Sequence, residues 1–207
     1  MIRDLLVWAC RSTFAPAEIG QAGDGKSAIE QCRILKPDLI VLDLELPDTD
    51  GLDLLPELRK LAPGAKIIAL STHTDEVTVH RVLQAHIDGF VDKNAQPMDV
   101  LREAITSVMD GRQYFSPVIR EVRLALRNAP AAFNKVLTDR EQELLGMIGL
   151  SLTNDEIADK LGIRVVTVQN HRSNIMNKLG LHSSTLLIRY AIDKGFTRIR
   201  RASPASH

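Results

Sequence analysis

The segment 137–181 constrains this chain more than any other, because its pattern specifies short helices joined by a tight turn. Two S/T-x-x-E capping boxes, 138–141 and 153–156, predict where the first two helices begin. Gly162 predicts the end of the second helix, and a longer helix is expected over 165–179. Apolar residues recur at helical spacing and leave polar and basic side chains outside. The segment therefore predicts a helix-turn-helix, the arrangement that places a recognition helix in the major groove of DNA.

Within this segment the motifs TDREQELL, TNDEIADKLGI and TVQNHRSNIMNKLGL resemble the DNA-binding domain of LuxR-type transcription regulators. The resemblance covers about 60 residues. It implies that the outer face of the third helix reads bases, where Gln and Asn side chains suit pairing with adenine N6 and N7. The alternative is an ordinary solvated helix face. By position the resemblance implies base contacts from Gln169, Asn170 and Ser173, with His171, Arg172 and Lys178 nearer phosphates. Arg164 and Thr167 are further candidate DNA-binding residues.

Two residues depart from the LuxR-type pattern. Ser151 stands where a glycine usually ends the first helix, and Arg164 stands where a Ser or Thr usually caps the recognition helix. A positive charge at a helix N-terminus opposes the helix dipole, but the same charge can meet a DNA phosphate.

Charge and composition agree with a DNA-binding protein and exclude several other classes of protein. The net charge is zero, yet residues 135–201 carry 11 basic and 7 acidic side chains, so their net charge is +4. Only two cysteines are present, which excludes a disulfide framework or a zinc motif. No apolar run approaches the length of a membrane span. We expect a cytoplasmic protein that binds double-stranded DNA and no membrane.

Ahead of this segment, apolar runs of strand length alternate with helical patterns, which favours an α/β domain with a parallel sheet. Helices are expected near 25–36, 51–62, 75–86 and 97–110. The predicted strands are 2–8, 17–22, 39–43, 66–71 and 89–92. Ligands of such sheets bind at the carboxyl ends of the strands.

Three of these strand ends carry a set of side chains that suits phosphate chemistry. Asp43 follows LIVL, Ser71 follows IIAL, and Lys93 follows GFVD. A carboxylate can be phosphorylated, and a hydroxyl and an ammonium can meet the phosphoryl oxygens.

The same region, with DLIVLDLELPDTDG, ALSTHTD and GFVDKNAQP, resembles the receiver domain of bacterial response regulators over 17–115. The resemblance implies a flavodoxin-like fold with Asp43 as phosphoacceptor, Ser71 as switch hydroxyl, Phe90 as switch aromatic and Lys93 as the phosphate-binding lysine. Phe90 as plain core and Ser71 as a strand-end cap are the alternatives.

The N-terminus departs from the receiver pattern. A receiver ends its first strand with two acidic residues that hold Mg²⁺, whereas MIRDLLVWACR places Trp8 and Ala9 there. Magnesium would then have only Asp43 and the Glu45 backbone carbonyl as ligands, so we expect metal-dependent phosphorylation to be weak or absent. Too few residues separate the first two predicted strands for the usual crossover helix. We therefore expect a truncated receiver without its first helix.

These expectations define the function and its alternatives. With one sheet face covered mainly by the helix over 97–110, we expect a homodimer through that face. The protein is expected to be a transcription regulator that requires no cofactor. Conventional phosphorylation by a histidine kinase is one alternative, and control by a ligand or protein partner in a pocket near Trp8, Asp43 and Lys93 is another. An aspartate-dependent phosphatase is a distant alternative, because the D-L-E sequence at Asp43 lacks evident metal-binding acids; we expect no enzyme.

The expected organisation is a receiver-like domain over 1–115, a linker helix and loop over 116–134, an all-α helix-turn-helix domain over 135–200 and a disordered tail over 201–207. The linker boundary rests on the small-residue, Pro-containing segment NAPAAF.

Overall fold

A computed structural model describes residues 2–13, 18–94 and 97–197. The chain divides into two compact units, and each is considered by itself. The first comprises the residues up to Thr74 together with Thr78–Arg123, and the second comprises Asp75–Val77 and the chain from Leu124 onward. The predicted tail over 201–207 lies outside the described residues.

The first unit is built on a four-stranded parallel sheet in the order β1-β2-β3-β4. Its strands are β1 (Leu39–Asp43), β2 (Lys66–Ser71), β3 (Gly89–Asp92) and β4 (Tyr114–Phe115). The first three have the predicted bounds, because short, mostly apolar runs are typical of the strands of a parallel sheet. The two-residue strand β4 was not predicted. The parallel α/β fold class is confirmed.

Helices surround this sheet on both faces. The bounds of the helices in the receiver region and of the helix that follows β4 are α1 (Ile2–Thr13), α2 (Gly25–Leu35), α3 (Leu55–Leu61, preceded by a 3₁₀ turn Gly51–Leu54), α4 (Glu76–Gln84), α5 (Pro97–Met109) and α6 (Pro117–Asn128). Four of these are the helices predicted from apolar periodicity. The carboxylate of Asp24 and the hydroxyl of Ser27 form a capping box that starts α2.

The N-terminal prediction is wrong. Residues 2–8 were predicted to be a strand, but they lie in helix α1, and no strand is assigned within 18–22. The first helix, predicted to be missing, is therefore present. Leu6, Ala9 and Cys10 pack at helical spacing against the sheet and α5. A short apolar run is compatible with either a strand or a buried helix, and only packing distinguishes the two.

Two hydrophobic clusters hold the first unit together. One lies on the sheet face covered by α1 and α5 and includes Ala9, Ile68 and Ile105. The other lies on the opposite face and includes Val79 and Ile119 with residues of α2 and α3. Because α1 shares the first face with α5, the expectation that this face is covered mainly by α5 is wrong, and it no longer argues for a dimer.

The second unit contains the helical domain. Its helices are α7 (Phe133–Val136), α8 (Asp139–Gly149), α9 (Asn154–Leu161), α10 (Val165–Leu179) and α11 (Ser184–Asp193). Both predicted capping boxes are formed, and Gly162 ends α9 with φ of 62°. The core includes the fully buried Leu144, Ile148, Ile157, Val168, Ile175 and Leu187. The predicted helical fold of this region is confirmed.

Ser151 adopts φ of 60° just after α8 ends. This is the left-handed conformation for which glycine is preferred, and a side chain costs roughly 1 kcal/mol there. Ser151, which departs from the LuxR-type pattern, therefore adopts a backbone conformation that explains why glycine is usual at this position.

Candidate functional sites

Asp43 and Lys93 form an ion pair at the carboxyl ends of β1 and β3. The Lys93 Nζ atom lies 2.6 Å from Asp43 Oδ1. The lysine side chain is 10% exposed and the aspartate side chain 36% exposed, so the ammonium is largely shielded and the carboxylate remains accessible from solvent. Because the strands are parallel, their carboxyl ends share one edge of the sheet, which is why residues 50 positions apart meet.

The backbone around Asp43 is closely packed. The Glu45 N–H donates to Asp43 Oδ1 at 2.8 Å, and the Gly51 N–H donates to the Leu44 carbonyl at 3.0 Å. A Cβ atom on Gly51 would lie only 2.3 Å from the Asp43 carbonyl oxygen. Only glycine allows the returning loop to approach the strand end this closely.

Glu45 contributes its side chain, which the sequence analysis did not anticipate. Its Oε1 atom accepts hydrogen bonds from Ser71 Oγ at 2.8 Å and from the Thr72 N–H at 2.9 Å. The Thr72 hydroxyl lies 3.0 Å from both carboxylate oxygens. Partial burial acts to raise the pKa of Glu45, but these hydrogen bonds and the charge of Lys93 outweigh it and hold the pKa below its usual value. Glu45 is thus an ionised acceptor at neutral pH.

Ser71 and Phe90 are both fully buried. Ser71 Oγ accepts from the His73 N–H at 2.9 Å in addition to donating to Glu45. Phe90 packs in the hydrophobic cluster that includes Val79 and Ile119. Burial places Phe90 in the core, and its role as a switch aromatic stays a prediction.

Helix α10 presents a polar face opposite its buried residues. Gln169, Asn170 and Ser173 are exposed, whereas Val168 and Ile175 are buried on the other side. Thr167 and His171 are half-buried between the two faces. Arg164 is the N-cap residue of α10, is exposed, and makes no side-chain capping hydrogen bond.

Two basic side chains expected near phosphates make contacts within the helical domain. Arg172 donates to Asn154 Oδ1 at 2.8 Å, and burial lowers its pKa. Lys178 forms an ion pair with Glu141, with Nζ 2.7 Å from Oε2.

Val166, half-exposed at the start of the outer face of α10, was missed by the sequence analysis. Its spacing of three and four residues from Gln169 and Asn170 was the available signal.

Two family models match the chain. The response regulator receiver domain matches residues 1–106, and the LuxR family of bacterial regulatory proteins matches residues 135–191. The response regulator VraR of Staphylococcus epidermidis is 34% identical over 176 residues, which cover 84% of this chain and 82% of that protein. VraR of Staphylococcus aureus matches with the same identity and coverage. The chain belongs to the LuxR-type response regulators.

Solved structures show the same fold. RcsB of Salmonella typhimurium aligns with a TM-score of 0.63 at 22% identity, covering 92% of this chain and 93% of RcsB. A structure of two RcsB dimers bound to two parallel DNAs aligns with a TM-score of 0.61 at 21% identity, covering 93% and 92%. The two matching family models and the similarity to VraR show that the family consists of transcription regulators rather than typical enzymes. Within the described ranges, no helix is long and apolar enough to cross a membrane.

Among the described residues, the carboxylates of Asp43 and Glu45 are already engaged by other groups and do not together form a magnesium site. Mg²⁺ requires near-octahedral oxygen ligands, usually including carboxylates. The Asp43 carboxylate is paired with Lys93, and the Glu45 carboxylate accepts hydrogen bonds from Ser71 and Thr72. Across residues 2–13, 18–94 and 97–197, no three His, Cys, Asp or Glu side chains cluster as metal ligands.

Trp8 and Ala9, which the sequence analysis assigned to the positions of the acidic pair, lie instead in α1. Trp8 is 55% exposed on that helix and Ala9 is buried. The ligand pocket expected from the sequence requires Trp8 at the end of a strand beside Asp43 and Lys93. Trp8 does not occupy such a position.

An open groove of about 420 Å³ lies beside the outer face of α10. Residues from α10 form one side, and the first residues of α9 and α11 form the other. Its lining residues are Thr153, Asn154, Gln169, Arg172, Ser173, Met176 and Ser184. The groove thus adjoins the residues expected to read DNA.

Proposed function

We propose that this response regulator recognises a specific DNA sequence through the outer face of α10. The observation that supports this proposal is the exposure of Gln169, Asn170 and Ser173 on the side of α10 opposite its buried residues. Gln and Asn can each pair with adenine through two hydrogen bonds, and the half-exposed Val166 can contact a thymine methyl group. RcsB, which has a similar fold, has been solved in complex with DNA.

Selection of bound DNA from a random pool tests this proposal. Asn170→Ala should relax the base preference at one position of the selected site, with a loss of about 1–3 kcal/mol in discrimination. Asn177→Ala is the matched control, because Asn177 is exposed two helical turns further along α10, whereas the N-terminal part of a recognition helix contacts base edges. An unchanged preference in Asn170→Ala would refute the assignment.

We further propose that the protein binds DNA as a homodimer. Support comes from the solved RcsB dimers on DNA and from the general correspondence between two-fold proteins and inverted half-sites. The selected DNA should then contain two half-sites spaced by about one helical turn or a multiple of it. A single half-site that retains full affinity would contradict the dimer.

Asp43 is proposed as a phosphoacceptor that reacts weakly with magnesium-dependent donors. The Asp43–Lys93 pair supports the acceptor role, because an accessible carboxylate and a shielded ammonium are the groups a phosphoryl adduct requires. The weakness follows from the poor fit of the acidic residues to a metal. Conventional phosphorylation by a histidine kinase is the second candidate, favoured by the placement of Ser71 and Lys93 at neighbouring strand ends.

Phosphoramidate distinguishes these two candidates. A carboxylate oxygen of Asp43 would form the new O–P bond while the P–N bond breaks and ammonia leaves. Mass spectrometry should show little of the increase of about 80 Da on the wild-type protein, with or without magnesium chloride, and none on Asp43→Asn. Rapid, magnesium-dependent and complete labelling of Asp43 would instead establish the conventional mechanism.

A further inference from the structure

Thr72, the residue that follows β2, is held from two neighbouring strand ends. On one side the Glu45 carboxylate accepts from its N–H and hydroxyl. On the other side Asn94 Nδ2 donates to the Thr72 carbonyl at 2.9 Å, and Asn94 is itself fixed by Asp92. Of these contacts, those to Glu45 involve a charged acceptor and are therefore the stronger ones.

The Ser71 hydroxyl is committed to the same carboxylate. A hydroxyl carries a single proton, and that of Ser71 is donated to Glu45 Oε1 at 2.8 Å. A phosphoryl group on Asp43 would present only acceptor oxygens at neutral pH. Ser71 must therefore release Glu45 before it can donate a hydrogen bond to the phosphoryl group.

We propose that Glu45 is a positioning residue that latches the Ser71 hydroxyl and the Thr72 backbone in the unphosphorylated receiver. The proposal rests on the proposed function of Asp43 as phosphoacceptor. Phosphorylation itself would weaken the latch, because it adds negative charge two residues from the Glu45 carboxylate. Thr72 lies four residues before the start of α4.

Amide hydrogen exchange at Thr72 in the full-length, unphosphorylated protein tests the latch. Glu45→Ala should raise the Thr72 exchange rate roughly tenfold, the factor expected for losing a hydrogen bond to a charged group. Glu45→Gln keeps one acceptor oxygen and should give an intermediate rate. Glu57→Gln is the matched control, because Glu57 is exposed on α3 of the same unit. A Thr72 rate in Glu45→Ala equal to that of wild type would overturn the proposal.

A second measurement separates a latch from a merely structural contact. The rate at which phosphoramidate labels Asp43 should rise up to about tenfold in Glu45→Ala, and adding Ser71→Ala should cancel the increase. If Thr72 exchanges faster but labelling is unchanged, the latch is refuted. Absence of label in every variant would refute Asp43 as acceptor, and the exchange rates would then decide on Glu45 alone.

Discussion

Lys178 of α10 is paired with Glu141, the carboxylate that also caps α8. Oε2 of Glu141 lies 2.7 Å from Lys178 Nζ and accepts from the Thr138 N–H at 2.8 Å. The Glu141 side chain is only 6% exposed, whereas Lys178 is partly open to solvent. One carboxylate therefore connects the start of α8 with α10.

Replacing Lys178 should destabilise the helical domain. Lys178→Met leaves the Glu141 carboxylate buried without its cation, and we expect a loss of about 1–3 kcal/mol in the free energy of unfolding. Urea titration followed by NMR signals of α8 and α10 measures this loss. The double variant with Glu141→Gln should recover part of it. Reduced DNA affinity with unchanged unfolding would show instead that Lys178 acts mainly as a phosphate contact.

The stability of the helical domain should depend on the ionisation of Glu141. Burial acts to raise the pKa of Glu141, but hydrogen bonds from Lys178 and Thr138 outweigh it and lower the pKa. A carboxyl group with a lowered pKa in the folded state stabilises at neutral pH, and this contribution is lost as the pH falls. The loss begins near the unfolded value of about 4.3 and continues down to the lower folded pKa.

Urea midpoints measured between about pH 7 and pH 3 test this dependence. Wild type should lose stability more steeply than Glu141→Gln in the acidic part of this range, because the other carboxylates are common to both proteins. Parallel curves for the two proteins would contradict the assignment of the pH dependence to Glu141.

The close approach of Gly51 to the Asp43 backbone predicts a position intolerant of any side chain. Gly51→Ala would place a Cβ 2.3 Å from the Asp43 carbonyl oxygen, and we expect a loss of about 1–3 kcal/mol in stability. Gly64→Ala is the matched control, because no atom lies within 4 Å of its added Cβ. Urea unfolding followed by Trp8 fluorescence reports on this unit. Equal stabilities of the two variants would contradict the steric argument.

Local signals made most of the fold predictable from the sequence. β1 and β2 are apolar runs ended by Asp43 and Ser71, and each capping box of the helical domain spans only four consecutive residues. Residues 2–8 were misassigned because a short apolar run does not distinguish a strand from a helix packed on α5. The Glu45 side-chain contacts could not be predicted, because they depend on how the turns after two different strands approach each other.

Arg164 is expected to lower the stability of the helical domain and to strengthen DNA binding. It is the N-cap of α10, where Ser or Thr would accept a hydrogen bond from the first turn, and its own side chain makes no such bond. Its positive charge also opposes the helix dipole. Beside a DNA phosphate the same charge releases a counterion and strengthens binding.

Arg164→Ser should therefore change the two properties in opposite directions. The free energy of unfolding of the helical domain should rise by about 0.5–1.5 kcal/mol, because a capping hydroxyl replaces an adverse charge. DNA affinity should fall for all sequences alike, and the slope of log affinity against log salt concentration should decrease by about one. Arg164→Lys keeps the charge and should preserve the slope. A slope unchanged in Arg164→Ser would show that Arg164 meets no phosphate, because a lost phosphate contact must alter counterion release.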